Sequence, residues 1–299
     1  MDPITLAERR QKIAALPPLR DVIRDNELAP KKSLGQHFLT DLNITDKIAR
    51  TARPEGATHD APLSGQTVLE VGPGPGALTR SLLTAGANVV AVERDTRAIT
   101  ALAPLKVAAG DALTIVEADA TRIDFSAIVP SGALICANLP YNVATPIIIG
   151  WLSATPWPPW WASATFMVQR EVAERMVAAP GSNAYGRLAV LTAARCQATK
   201  VFDLSPDAFV PPPKVWSSVV RLDPTPDIPG LCTKTLGRVT GAAFGQRRKK
   251  LRSSLKSLTK TPDDLLAAAH IAPDRRAETL AVDEFITLAA LTPKGTAQT

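Results

Sequence analysis

Cysteine is scarce in this chain of 299 residues. There are three, Cys136, Cys196 and Cys232, far apart and without a C-x-x-C spacing. Their number and spacing exclude a disulfide framework and a zinc finger and fit a reducing compartment. Long apolar runs are missing too: the longest, such as Pro146–Leu152, fall far short of the roughly 20 residues a membrane helix needs. The opening stretch MDPITLAERRQKIAALPPLRD mixes acids and bases around no apolar segment, so no secretory signal is expected there. Histidine is also rare, and neither His59 nor His270 has a ligand-spaced partner, so no metal site is expected. The expectation is a soluble, cytoplasmic monomer that does not engage a membrane.

What is present is an ordinary globular composition, 45% hydrophobic and 21% charged. A chain this long buries about 75% of its unfolded surface and needs no covalent staple. One large domain with a smaller companion suits its length. The formal net charge is +6, but it is unevenly spread. Between Asp227 and Asp263 there is no acid and there are nine bases, leaving the remainder at −3. On a helix, Leu251, Leu255 and Leu258 would face a core while Lys249, Arg252, Lys256 and Lys260 lined another face. An unbalanced stripe of one sign repels itself unless an anion meets it, which points to nucleic acid.

Residues 1–32 read as a polar helical extension ending in Lys31-Lys32. From Thr67 onward strands alternate with helices. Strands are predicted at Thr67–Val71, Asn88–Glu93, Leu113–Ala118, Ala133–Ala137 and Ser163–Val168, with further runs at Ala198–Phe202 and Trp216–Leu222. Helices are predicted at Ala77–Ala85, with Gly86 at its C′ position, and at Gln169–Ala178. The alternation predicts an α/β fold with a parallel, doubly wound sheet over 33–226. The stretch PTPDIP (224–229) then breaks the pattern, and 227–299 reads as a small, basic helical domain.

In such sheets ligands bind beyond the carboxyl ends of the strands. The first end carries Glu70-Val-Gly-Pro-Gly-Pro-Gly76. Gly72 and Gly74 let the backbone turn sharply beside a ligand, and the next helix offers unpaired N–H groups. The G-x-G-x-G spacing differs from the dinucleotide pattern G-x-G-x-x-G. Glu93, ending the second strand, is placed to accept both hydroxyls of a ribose. Asp119, ending the third, is placed to accept from an adenine amino group. Asp111 competes for that role, but the strand LTIVEAD before Asp119 makes the latter the better match. At the fourth end stands Asn138-Leu139-Pro140-Tyr141, a stiff loop with an aromatic ring. The Asn138 side-chain oxygen and a backbone carbonyl, that of Leu139, would accept from an exocyclic base amine and favour a pyramidal nitrogen. Tyr141 would stack on the base. This points to methyl transfer rather than hydride transfer.

The order LGQHFL (34–39), EVGPGPGALT (70–79), Glu93, Asp119 and NLPYN (138–142) resembles the small-subunit (16S) ribosomal RNA adenine dimethyltransferases. FVPPPKVWSSVVRL (209–222) and FGQRRKKLRSSL (244–255) are similar to two later blocks of that family. The likeness spans about residues 31–291. It implies a Rossmann-like S-adenosylmethionine domain followed by a small helical domain. It also implies N6-dimethylation of two adjacent adenosines in the 3′-terminal hairpin of small-subunit rRNA within the 30S or pre-30S particle, a step of small-subunit biogenesis. S-adenosylhomocysteine would be the product. Position by position, it puts His37 and Leu39 at the methionine end of the cofactor and Gly72 in the glycine turn. Glu93 falls on the ribose, Asp119 on the adenine and Asn138 at the reacting centre. Many members carry Asn where this chain has His37.

Transfer is expected to be in-line, without metal or covalent intermediate, on an adenine lifted from its stack between Tyr141 and Phe209. Arg247, Arg248, Lys249, Lys250, Arg252 and Lys256 are expected to grip phosphates. The segment WLSATPWPPWW (151–161) is expected to be a packed loop rather than a stacking platform. Three other readings stand beside this one. They are a large-subunit rRNA methylase of the macrolide-resistance type, a ribosome-assembly checkpoint factor with secondary methylation, and a nicotinamide-dependent oxidoreductase.

Overall fold

A computed structural model describes residues 4–28 and 36–293. Lys31, Lys32, Leu34 and Gly35 of the sequence argument lie outside the described residues. Helices α1 (Leu6–Ala14) and α2 (Leu19–Asp25) open the chain, before a two-residue strand β1 (Phe38–Leu39) and helix α3 (Leu42–Thr51). The α/β series follows: β2 (Thr67–Val71), α4 (Ala77–Thr84), β3 (Asn88–Glu93), α5 (Thr96–Ala101), α6 (Ala103–Ala109), β4 (Leu113–Glu117), β5 (Ala133–Asn138), α7 (Ala144–Leu152) and β6 (Trp161–Gln169). Next come α8 (Arg170–Met176), α9 (Arg187–Ala193), β7 (Cys196–Leu204), β8 (Phe209–Val210) and β9 (Ser217–Pro224). Helices α10 (Thr233–Gly245), α11 (Leu251–Ser254), α12 (Pro262–Ala268) and α13 (Val282–Leu291) complete the described chain.

Seven strands form one sheet in the order β4-β3-β2-β5-β6-β9-β7, and β1 pairs separately with β8. Strands β4, β3, β2, β5 and β6 are parallel neighbours, so the carboxyl ends of the first four lie along one edge. The order reverses between β2 and β5, the switch point where such sheets open a crevice. The sheet is not wholly parallel, as the sequence had implied: β9 runs antiparallel to β6. Its other neighbour, β7, leads into β9 through residues 205–216, which hold a single 3₁₀ turn and β8 rather than a crossover helix.

The chain divides into two compact units. The first holds Met1–Ile148, Trp160–Arg170 and Lys200–Asp223; the second holds Ile149–Pro159, Glu171–Thr199 and Pro224–Thr299. This differs from the expected 1–32, 33–226 and 227–299. The N-terminal helices are not a separate extension: Ile13 sits in the core of the first unit beside Leu78 and Leu82. Arg9 is 7% exposed and donates to the Ala87 carbonyl, while Arg80 donates to that of Pro17. Helix α9 belongs to the second unit because its buried face, Ala189 and Val190, packs with Leu236, Val239 and Phe285.

The basic segment also departs from expectation. In place of one basic helix there is a turn at 246–249, the four-residue α11 and a 3₁₀ turn at Leu255–Ser257. Leu251 and Leu255 are buried, as the spacing required. Lys250 lies 3.2 Å from Asp274, and Arg252 lies 3.4 Å from Asp263, so acids from later in the chain balance part of the stripe. Trp151, Trp157 and Trp161 are buried and Trp160 is half-buried, a packed segment rather than an open platform. Among the described residues, no helix is long and apolar enough to cross a membrane.

Candidate active site

Strand β2 carries the first wall. TVLEV is a mostly apolar run whose one ionisable residue, Glu70, is 1% exposed. Beyond it Gly72 and Gly74 adopt φ +69° and +53°, the left-handed region. A Cβ on Gly74 would lie 2.9 Å from the Phe38 ring, and one on Gly72 would lie 3.3 Å from the Pro140 ring. These glycines let the loop sit against β1 and against the Asn138–Tyr141 loop at once. Gly76, at φ +87°, turns the chain into α4.

Glu93, at the end of β3, is 7% exposed and pinned by backbone amides. Its Oε1 accepts from Arg94 N and Asp95 N, both at 2.8 Å, and Oε2 accepts from Gly74 N at 3.1 Å. A carboxylate offers about four acceptor sites, so three are in use and not both ribose hydroxyls fit without exchange. Asp119, just beyond β4, accepts at Oδ1 from the Thr121 amide (2.9 Å) and hydroxyl (2.7 Å), and at Oδ2 from Arg94 (3.2 Å). The Thr121 bonds, with Arg94 adding, hold its carboxyl below the usual range.

At the end of β5, Asn138 Nδ2 donates to the His37 carbonyl at 3.3 Å, which leaves Oδ1 free to accept. The Leu139 amide donates to Met167 O at 3.3 Å. The Pro140 carbonyl already accepts from the amides of Val143 and Ala144. Of these two loop carbonyls, that of Leu139 has no partner among the described residues and is the one left for a ligand. The Tyr141 hydroxyl is hydrogen-bonded to Ser217 Oγ, and burial raises its phenol above the usual value, keeping it neutral. The His37 ring lies 5.4 Å from the Tyr141 ring, and its Nδ1 donates to Pro211 O at 2.9 Å.

His37, Leu39, Gly72, Gly74, Glu93, Asp119, Asn138, Leu139, Pro140 and Tyr141 line one cavity of about 1110 Å³, open mouth included. Phe209 does not join them. It is 2% exposed and paired across from Leu39, its ring committed to the core. The expected second stacking face is therefore absent from this position. Arg247, Arg248, Lys249, Lys250, Arg252 and Lys256 lie in the second unit, all exposed.

Glu70 was missed as a site residue, although an acid inside an apolar strand was a legible signal. It lines the cavity, and its Oε2 is buried without a partner. Burial pushes its carboxyl up to about 8, the Thr79 hydroxyl opposing and the Glu93 carboxylate adding to the effect. Asp95 also lines the cavity and is held at about 2, chiefly by Arg97. Ser217 and Pro211, which anchor Tyr141 and His37, carried no local signal. Among the described residues, no cluster of His, Cys, Asp or Glu is able to hold a metal ion.

Acidic acceptors at consecutive strand ends, a glycine turn that a Cβ would obstruct and an orphaned carboxyl oxygen fit a cationic nucleoside cofactor. This fold and site define a class I, S-adenosylmethionine-dependent methyltransferase. Residues 28–294 match the family described as ribosomal RNA adenine dimethylase. The chain is 54% identical over 281 residues to ribosomal RNA small subunit methyltransferase A of Agrobacterium fabrum, covering 93% of this chain and 98% of that one. It is 53% identical over 276 residues to the protein of that name from Xanthobacter autotrophicus, covering 92% and 93%. Among solved structures it is similar to a dimethyladenosine transferase from Plasmodium falciparum, with TM-score 0.66, 25% identity, and 84% and 96% of the two chains covered. The fold also matches the 23S rRNA methyltransferase ErmE, with TM-score 0.62, 23% identity, and 85% and 99% covered. The chain belongs to the ribosomal RNA adenine dimethylase family.

Proposed function

We propose that this enzyme moves methyl groups from S-adenosylmethionine to N6 of two adjacent adenines in the 3′-terminal hairpin of small-subunit rRNA. Each would be dimethylated on a 30S or pre-30S particle in the cytoplasm, with the protein acting as a monomer. The first unit carries the transfer, and the basic segment of the second grips RNA. When bound, the cofactor supplies an electrophilic methyl on a sulfonium that is its own leaving group. Glu93 would take a ribose hydroxyl on its remaining Oε2 site, and a second hydroxyl would replace the Gly74 amide. Asp119 has one Oδ2 site left for an adenine amine. His37 and Leu39 would border the methionine end, and Glu70 supplies the buried carboxyl there.

The observation that carries this reading is the pair of acceptors at the end of β5. Asn138 is turned by its bond to the His37 carbonyl so that, among the described residues, neither its Oδ1 nor Leu139 O is claimed. Two acceptors on one amine draw its hydrogens aside and localise its lone pair, and both bonds strengthen as positive charge develops. Tyr141, held by Ser217, offers its ring to the base. No strong base is needed, because the nitrogen sheds its proton after becoming cationic. The small-subunit assignment draws on relatives of that name at 53–54% identity. The test is incubation of unmethylated small subunits with labelled cofactor. Label should enter RNA with the wild type and about 10²–10³-fold more slowly with Asn138→Ala; equal rates would overturn the reading.

A further inference from the structure

We propose that Trp216 is a shelf for an unpaired nucleobase next to the one that enters the pocket, with Lys214 and Arg170 adding positive charge beside it. The inference rests on the rRNA reading above. Of the five tryptophans, Trp151, Trp157 and Trp161 are buried and Trp160 half-buried, whereas Trp216 is 46% exposed. Its neighbours Val210 and Val215 are exposed too, so the 210–216 segment presents an apolar surface to water.

That segment is fixed to the pocket at both ends. At one end Pro211 O accepts from His37 at 2.9 Å; at the other, Ser217 Oγ is bonded to the Tyr141 hydroxyl. Trp216 therefore stands one residue from the anchor of the ring expected to hold the target base. The Arg170 amide donates to Trp216 O at 2.9 Å, and the Arg170 guanidinium lies 5.9 Å from the indole centroid. Arg170 and Lys214 are both exposed. Asp203 is engaged by Ser218 Oγ at 2.6 Å and by Lys200 at 3.1 Å, and the Arg170 charge adds to what lowers its carboxyl. An exposed indole beside the Arg170 guanidinium, with Lys214 two residues away in the chain, suits a base and its phosphate. Lifting one adenine from its stack strips its neighbour of a stacking partner, and an aromatic face beside the pocket replaces that contact.

The test compares wild type, Trp216→Ala and Trp216→Phe on small subunits lacking the modification and on a protein-free RNA hairpin of the same sequence. Trp216→Ala should raise KM about tenfold for both substrates, a loss typical of one stacking contact, with kcat and cofactor affinity within about twofold. Trp216→Phe should restore most of the loss. Wild-type tryptophan fluorescence should be quenched by short single-stranded RNA, and the quench should vanish in Trp216→Phe. An unchanged KM, or a change on subunits alone, which would mean a protein partner, would overturn the proposal. A quench that persists in Trp216→Phe would do the same, even if Trp216→Ala fails to fold. No transfer by the wild type would count against the functional reading, while the quench would still decide the shelf.

Discussion

Replacing Glu70 by Gln should make the protein more stable than the wild type in alkali. The carboxyl is buried in β2, its Oε2 has no partner, and its pKa stands at about 8 against an ordinary 4.5. Its folded-state value is raised, so its contribution to stability is fully present below 4.5 and is lost as pH rises through 8. At about 1.36 kcal/mol per pK unit, the wild type should lose about 4 kcal/mol relative to Glu70→Gln between about pH 5 and pH 9. The assay is urea unfolding of both proteins across that range, with m compared first to show that the same surface is exposed. The wild-type curve should fall away from the variant's between about pH 5 and pH 8 and run parallel to it above about pH 9. Parallel curves across about pH 5 to pH 8 would falsify the claim that Glu70 is held neutral in the free protein.

Other substitutions separate the parts of the site. Asn138→Ala should lower kcat about 10²–10³-fold while cofactor affinity stays nearly unchanged, as checked by single-turnover kinetics and titration; equal loss of both would contradict its assigned role. Gly74→Ala forces a left-handed residue to carry a Cβ 2.9 Å from the Phe38 ring. It should cost about 2–4 kcal/mol and weaken cofactor binding, measured by thermal melts with and without cofactor. RNA affinity should fall with salt at a slope of roughly −3 to −3.5, because Arg247, Arg248, Lys249 and Lys256 have no carboxylate partner among the described residues whereas Lys250 and Arg252 do. Arg247→Ala with Arg248→Ala should flatten that slope by about 1.5, and an unchanged slope would remove them from the interface.

What was legible in the sequence was local. Strands β2 and β3 match their predicted spans because each is an apolar run stopped by glycine or an acid. Gly86, at φ +103°, stands at the C′ position the pattern assigned to it. Ten of the expected site residues meet at one cavity because strand ends in a parallel sheet share an edge. What was not legible depends on distant partners. The Tyr141–Ser217 bond spans 76 positions, and the Arg9–Ala87 bond that docks the N-terminal helix spans 78. Asp263 and Asp274 temper the basic segment only because the fold returns them to it. Phe209 read as a ligand-facing aromatic from its motif, but its pairing with Leu39 turns it into the core.

The most direct test of the central claim is to map the nucleotides methylated when the enzyme acts on unmodified small subunits and, separately, on large-subunit RNA. Two adjacent N6-dimethyladenines are expected in the 3′-terminal hairpin of the small-subunit rRNA, and none elsewhere. Label confined to large-subunit RNA, or tight binding to the small subunit without transfer, would contradict it.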